Sequence, residues 1–421
     1  MPRRPTLVEW SSREHPWCAG YTSGVNDGKA LRAGLLGAAA GLALGYAATR
    51  MAQAVRDRVR PYTMLTDRDP RRYAAARRAL ALTGIARGLT DLAVIAFVVA
   101  DPLERALQPL PRPLRAPAFA LALFALDGIR EFGTAYVEEH VIERVYGTSN
   151  QTAGAWLADK RKAAALGGGV TVVLVTLADA VVRIAPRRWP WIAIAALPPL
   201  LAFATVIVPT FVMPLFNRYE PVRGDLEAQI RALAARYGVG DAAILRFDMS
   251  RQTNKANAFV TGVLGTERIA LGDTLIEAFA ADETLFVVAH ELGHYVRRDP
   301  WLGIALTTIS LGATILVAGT FVRRTTGRGL DSPAQGARFI FSATLVQLAL
   351  APASNFASRA MESRADRFAL TATGDAAAGV RAFRRLGEQN LAEFEPPRWA
   401  ELLLASHPSL ASRIRALEHR T

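Results

Sequence analysis

The sequence predicts a mainly α-helical membrane protein, with about seven transmembrane helices and a small α+β region. Three features of the 421 residues carry that expectation. Apolar residues gather into seven runs, each near the ~20 residues a helix needs to cross a hydrocarbon core. Arginines cluster at the ends of those runs. Between the fifth and sixth runs lies a polar stretch of about eighty residues in which helical and strand-like periodicities alternate.

Residues 1–32 are polar and broken by Pro and Gly; no apolar core follows a short basic start, so no cleavable signal peptide is expected. The runs are Ala33–Thr49, Leu80–Ala100, Ala116–Ala135, Ala163–Val182, Trp191–Phe211, Trp301–Val322 and Phe339–Ala357. The second contains Arg87 and Asp91, the third Asp127, Arg130 and Glu131. Charges are costly in lipid, so Asp91 is expected to face a bundle interior or wet cavity. Arg130 and Glu131 fit either that or a position at the interface. The basic segment Asp57–Arg78 is expected on the cytoplasmic side, and seven spans then put Asn217–Pro300 and the C-terminal tail there too. The three arginines of Arg183–Pro190 conflict with this count, which leaves them outside.

In the polar stretch, Leu226, Ile230, Leu233, Ala234 and Tyr237 recur at helical spacing, and Gly238 is a stop signal. Ala243–Phe247 alternates like a strand, and Ala258–Val263 with Ile269–Leu271 reads as a hairpin. A helix is expected from Asp282 to Asp299, ended by Pro300, which also starts the sixth span. The chain thus divides into 1–32 (polar), 33–216 (spans one to five), 217–300 (α+β), 301–357 (spans six and seven) and 358–421 (C-terminal segment).

Composition excludes some chemistry. Cys18 is the single cysteine, so neither an intramolecular disulfide nor cysteine ligation of a metal is available. Lys+Arg exceed Asp+Glu, 50 to 37, but the arginines flank apolar runs, as expected for loops facing anionic lipid heads. No nucleic-acid partner is expected; the partners are the lipid bilayer and a peptide or protein substrate.

Chemistry concentrates at His290-Glu291-Leu292-Gly293-His294. Histidines four apart on a helix project from one face and can hold one tetrahedral Zn2+, with Glu291 as general base. The alternative is a pair of solvated helix histidines. The metzincin continuation would need Gly at position 297 and His at 300, where the chain has Arg297 and Pro300. The best third ligand is Glu362. Asp366, four residues on, is placed to accept a ligand histidine's N–H. The bland alternative is an acidic stripe paired with Arg359 and Arg367. An oxyanion would need a donor besides the metal, and Asn257 and His407 are candidates, though either could be an ordinary strand or loop residue.

These motifs resemble the type I CAAX prenyl endopeptidases, integral-membrane gluzincins. The resemblance rests on Glu143–Thr152, Val212–Asn217, Asn257–Phe259 with Arg268–Leu275, His290–His294 with Ser358–Asp366, and His407-Pro408 with Arg413. It covers about residues 70 to 420. It implies a seven-helix bundle around an intramembrane chamber, capped by a small zincin-like catalytic domain. It implies one zinc per chain on His290, His294 and Glu362, with Glu291 as base and Asp366 behind a histidine. Asn257 and His407 become transition-state donors, and Ala258, Phe259 and Val260 an edge strand that pairs with an extended peptide. The family's usual Ser and Tyr are Ala256 and Phe259 here. The Arg/Ala-rich composition suggests a bacterial inner-membrane protein with its catalytic region in the cytoplasm, where prenylated substrates need not exist. The rivals are an HtpX-like quality-control protease and, less favoured, a non-catalytic membrane scaffold with a vestigial zinc site.

Overall fold

A computed structural model describes residues 68–262 and 266–419. The expected first span, Ala33–Thr49, and segment 1–32 lie outside the described residues. The membrane part begins with α1 (Pro70–Ala106), α2 (Arg112–Ala135, prolonged by a wide turn over Tyr136–Val141 and a last turn over Ile142–Val145), α3 (Ala153–Ile184) and α4 (Trp189–Leu215). The soluble part follows: β1 (Tyr219–Pro221), α5 (Asp225–Ala235), β2 (Ala243–Phe247), β3 (Ala258–Thr261), β4 (Arg268–Gly272), α6 (Asp273–Ala278) and α7 (Ala281–Val296). Two long helices, α8 (Asp299–Thr326) and α9 (Pro333–Thr373), return to the membrane. The chain closes with α10 (Ala376–Gln389), α11 (Arg398–Leu404) and α12 (Leu410–Glu418).

Among the described residues, α1, α3, α4, α8 and α9 are long and apolar enough to cross a membrane. Five of the seven runs therefore lie in candidate spans. The run Ala116–Ala135 does form a helix, α2, but α2 is not among those five. Its charges pair with α1. Arg130 reaches Asp91, and Arg87 reaches Glu131 at 2.6 Å. Pairing between neighbouring helices removes the cost of a lone charge in hydrocarbon, which is why Asp91, Arg130 and Glu131 meet between helices.

The soluble sheet has the order β1-β2-β4-β3, with β2 and β4 parallel and the outer pairs antiparallel. The hairpin reading holds for β3 and β4, with Ala258 opposite Leu271 and Val260 opposite Ile269; residues 263–265 of its turn lie outside the described residues. β3 is an edge strand. The inward face of α5 (Ile230, Leu233, Ala234) packs with Ile269 and Leu271 of β4 and with Phe286, Val288 and Leu292 of α7 into one core. Gly238, at φ +77°, turns the chain after α5 in a conformation that a Cβ would disfavour.

One expectation is corrected. The motif helix does not run to Asp299: α7 ends at Val296, Arg298 takes a left-handed conformation (φ 58°), and α8 begins at Asp299. Pro300 sits in the first turn of α8, where its missing N–H costs nothing. α8 and α9 run unbroken through 300/301 and 357/358, so those segment bounds fall inside helices.

Candidate metal centre

The site is made where α7 lies on α9, the most extensive packing between elements among the described residues. Gly293 permits it. A Cβ there would stand 3.0 Å from Phe368 Cδ1 and 3.2 Å from the Ala365 backbone, so a larger residue would push the two helices apart. At this spacing the i, i+4 face of α7 presents His290 and His294 to the i, i+4 face of α9, which presents Glu362 and Asp366.

Three donors converge. His290 Nε2 and His294 Nε2 are 3.3 Å apart, His290 Nε2 lies 3.3 Å from Glu362 Oε2, and His294 Nε2 lies 3.5 Å from Glu362 Oε1. Bonds of ~2.1 Å at the tetrahedral angle separate two donors by about 3.4 Å, so the residues fit a small tetrahedral cation. Both histidines are held from behind: Asp366 Oδ1 lies 2.8 Å from His290 Nδ1, and Asp299 Oδ2 lies 2.9 Å from His294 Nδ1. With each Nδ1 donating to a carboxylate, the Nε2 lone pairs, once free of protons, point at each other and at Glu362. Three electron pairs meeting in a buried space need a positive charge between them. The pKa of His290 reports the same demand. Burial disfavours its cation, yet Asp366 and Glu362 outweigh burial and lift its pKa to about 9. His294 is also raised against its burial, chiefly by Glu362.

Glu291 sits beside the donor set without joining it. Burial lifts its carboxyl above the ordinary range against the pull of His290 and His294, and its neighbours act on it through charge and not through hydrogen bonds. His407 Nε2 lies 3.2 Å from Glu362 Oε1, on a side chain that is 61% exposed. Its loop is tied to α9, since Arg359 donates to the carbonyls of Glu401 and Ala405 at 3.0 and 2.6 Å. Asn257 is exposed one residue before β3, and β3 packs on α7. Ala258 and Val260 turn toward the soluble core, and Phe259 stands beside Phe247.

The expected residues are thus grouped: His290, His294, Glu362, Asp366 and His407 meet directly, while Ala258–Val260 lie in the strand that packs on α7 and Asn257 precedes it. Two supports were not read from the sequence. Asp299 holds His294, and Arg364 of α9 in turn bonds Asp299. The third, Arg413, entered only through the resemblance; it grips Asp366 with two bonds, of 2.9 and 2.6 Å, and stacks over Phe383. Asp299 carried a partial signal, an acid just past the motif and before a proline. Its reach back to His294 depends on the Arg298 turn, which periodicity does not show.

Residues 221–421 match the family model of peptidase family M48, and residues 45–218 match that of the CAAX prenyl protease N-terminal region, described as five membrane helices. That second match begins upstream of residue 70, where the sequence resemblance starts. The chain is 27% identical over 282 residues to the uncharacterized metalloprotease YhfN of Bacillus subtilis, covering 65% of this chain and 66% of that protein. It is 28% identical over 324 residues to CAAX prenyl protease 1 of Saccharomyces cerevisiae, covering 70% of each. The fold matches the crystal structure of S. mikatae Ste24p with a TM-score of 0.73 at 21% identity, covering 92% of this chain and 98% of that one.

Proposed function

We propose that the chain is a multi-pass membrane metalloendopeptidase of the kind its two family-model matches describe, and that it cleaves peptides of membrane-associated substrates with one Zn2+ held by His290, His294 and Glu362. The observation that carries the reading is the convergence of those three donors at tetrahedral spacing beside Glu291, whose carboxyl takes no hydrogen bond among the described residues. When bound, the ion supplies Lewis-acid chemistry, acidifying water and polarising a carbonyl.

The residues divide the remaining work. Glu291 takes a proton from water and returns it to the leaving amine, and a carboxyl raised by burial suits both halves of that task. Asp366 and Asp299 fix the histidine tautomers so that both Nε2 lone pairs face inward. Arg413 grips Asp366 with two bonds and keeps it aimed at His290. His407, exposed beside Glu362, and Asn257, at the head of β3, are the side-chain donors for the developing oxyanion. The free edge of β3 at Ala258, Phe259 and Val260 pairs with an extended peptide through backbone hydrogen bonds.

The names of the relatives and the N-terminal match favour lipidated, CAAX-type peptides over the damaged membrane proteins that an HtpX-like enzyme would take. The basic segment Asp57–Arg78 favours a cytoplasmic catalytic face, and the Arg/Ala-rich composition favours a bacterial inner membrane. The test uses full-length protein in detergent. Metal analysis is expected to give one zinc per chain, and Glu291→Gln to retain the metal while losing cleavage of a quenched peptide. Undiminished turnover by that variant removes Glu291 from the mechanism. Cleavage of matched peptides with and without a C-terminal prenyl group, and membrane proteomics of the Glu291→Gln strain, address the substrate.

A further inference from the structure

The segment Glu143–Thr152 takes no part in the metal centre, yet it holds a buried polar cluster. Glu143, in the last turn of α2, is 8% exposed. Tyr73 of α1 donates its hydroxyl to Glu143 Oε1 at 2.6 Å, and Thr148 donates to Oε2 at 2.5 Å. Lys255 Nζ donates to Glu143 Oε2 at 2.7 Å and to the Tyr73 oxygen at 2.8 Å. Helices α1 and α2 and the segment that leads into the soluble sheet therefore meet on one carboxylate.

Around the cluster the two segments lie side by side. Asn254 N–H donates to the Thr148 carbonyl at 3.0 Å, and Asn150 N–H donates to that of Gln252 at 3.1 Å. Asn150 Nδ2 donates to Asn254 Oδ1 at 2.6 Å, and Asn254 Nδ2 to the Gly147 carbonyl at 2.9 Å. From the other side, Asn390 brackets Ala256, accepting its N–H at 2.7 Å and donating to its carbonyl at 3.2 Å. Residues 253–256 are thus clamped on both flanks, and β3 starts at Ala258.

β3 is four residues long with one strand neighbour among the described residues, so hydrogen bonding to β4 alone leaves its lateral position weakly determined. The clamp supplies what the ladder lacks. We propose that Glu143 and Lys255 are positioning residues for peptide recognition: through residues 253–256 the membrane bundle fixes the free edge of β3 over the motif helix α7. The inference rests on the reading of β3 as the peptide-pairing edge. Neither residue touches the donor set; they act through the strand.

The test compares full-length wild type with Lys255→Met, Lys255→Arg and Tyr73→Phe in detergent, reading metal content, peptide kinetics and amide hydrogen exchange. Lys255→Met is expected to keep its metal, to exchange faster over residues 256–261 but not over α7, and to raise KM about tenfold or more with kcat changed far less. Lys255→Arg restores most of the effect, and Tyr73→Phe, which deletes one donor, shifts the same readouts less. If Lys255→Met fails to fold, Tyr73→Phe decides on the same readouts. Wild-type exchange over 256–261 overturns the proposal. So does a variant whose α7 loosens equally or whose metal is lost, since that marks general support of the fold. A wild-type protein that cleaves no peptide defeats the proposed function instead, and the exchange comparison still decides whether this clamp fixes β3.

Discussion

Asp299→Asn isolates the support behind His294. In the native site Asp299 Oδ2 takes the His294 N–H at 2.9 Å while Oδ1 takes Arg364, and Asp299 is 6% exposed. The amide replaces one acceptor by a donor, so one neighbour must face an N–H. Arg364 has a third of its side chain in solvent and can turn away, leaving the amide oxygen to His294. What is lost is the carboxylate charge behind the imidazole. Removing such a partner lowers metal affinity about 10–100-fold; with the hydrogen bond kept, the low end applies, about tenfold or ~1.4 kcal/mol. Asp299→Ala deletes the acceptor and falls at the high end. Asp366→Asn costs more than Asp299→Asn, because its Arg413 is only 10% exposed, cannot turn to water, and loses a charged partner. The assay is competition for zinc against a chromophoric chelator, with detergent-solubilised full-length protein at fixed pH. Equal affinity in wild type and both Asp299 variants would refute the reasoning.

Further outcomes follow from the same geometry. Gly293→Ala forces α7 and α9 apart against Phe368 and Ala365; a cost of about 1–3 kcal/mol in thermal unfolding, with weakened zinc binding, is expected. In metal-free protein, His290 has a folded pKa near 9 against 6.5 unfolded. The stability this contributes is complete below 6.5 and is lost as pH rises through 9. Melts of chelator-treated protein between those limits are expected to fall, by at most roughly 3 kcal/mol, and metal-loaded protein is expected to lack this decline. Glu131→Leu strands Arg87 between α1 and α2 and is expected to lower the melting temperature, while Arg87→Met/Glu131→Leu recovers most of the loss. A double mutant as unstable as the single one would mean that the pair does not act as a unit.

Much of the fold was legible in the sequence because its signals are local. A run such as Trp301–Val322 needs no partner to declare a span, and the alternation of Ala243–Phe247 matches β2 residue for residue. The α2 run was harder to place: its charges are visible in sequence, but whether they meet lipid or one another depends on α1 lying beside it. The end of the motif helix was misplaced for a related reason. Pro300 signals a boundary without saying that the chain turns at Arg298, two residues earlier.

The sequence by itself determined the donor inventory, His290, Glu291 and His294 on one helical face and Glu362 and Asp366 on another, because a helix fixes which residues share a face. It could not determine that the two faces meet. That was decided by the close approach of α7 and α9 at Gly293, which brings Glu362 Oε2 to 3.3 Å from His290 Nε2. Tertiary structure also decided the supports. Asp299 reaches His294 only through the Arg298 turn, Arg413 reaches Asp366 from 47 residues away, and Lys255 reaches Glu143 across 112. Periodicity records how a segment presents its own side chains. Which segment it faces is set by burial of the whole chain, and in this protein that pairing brings the candidate metal donors together.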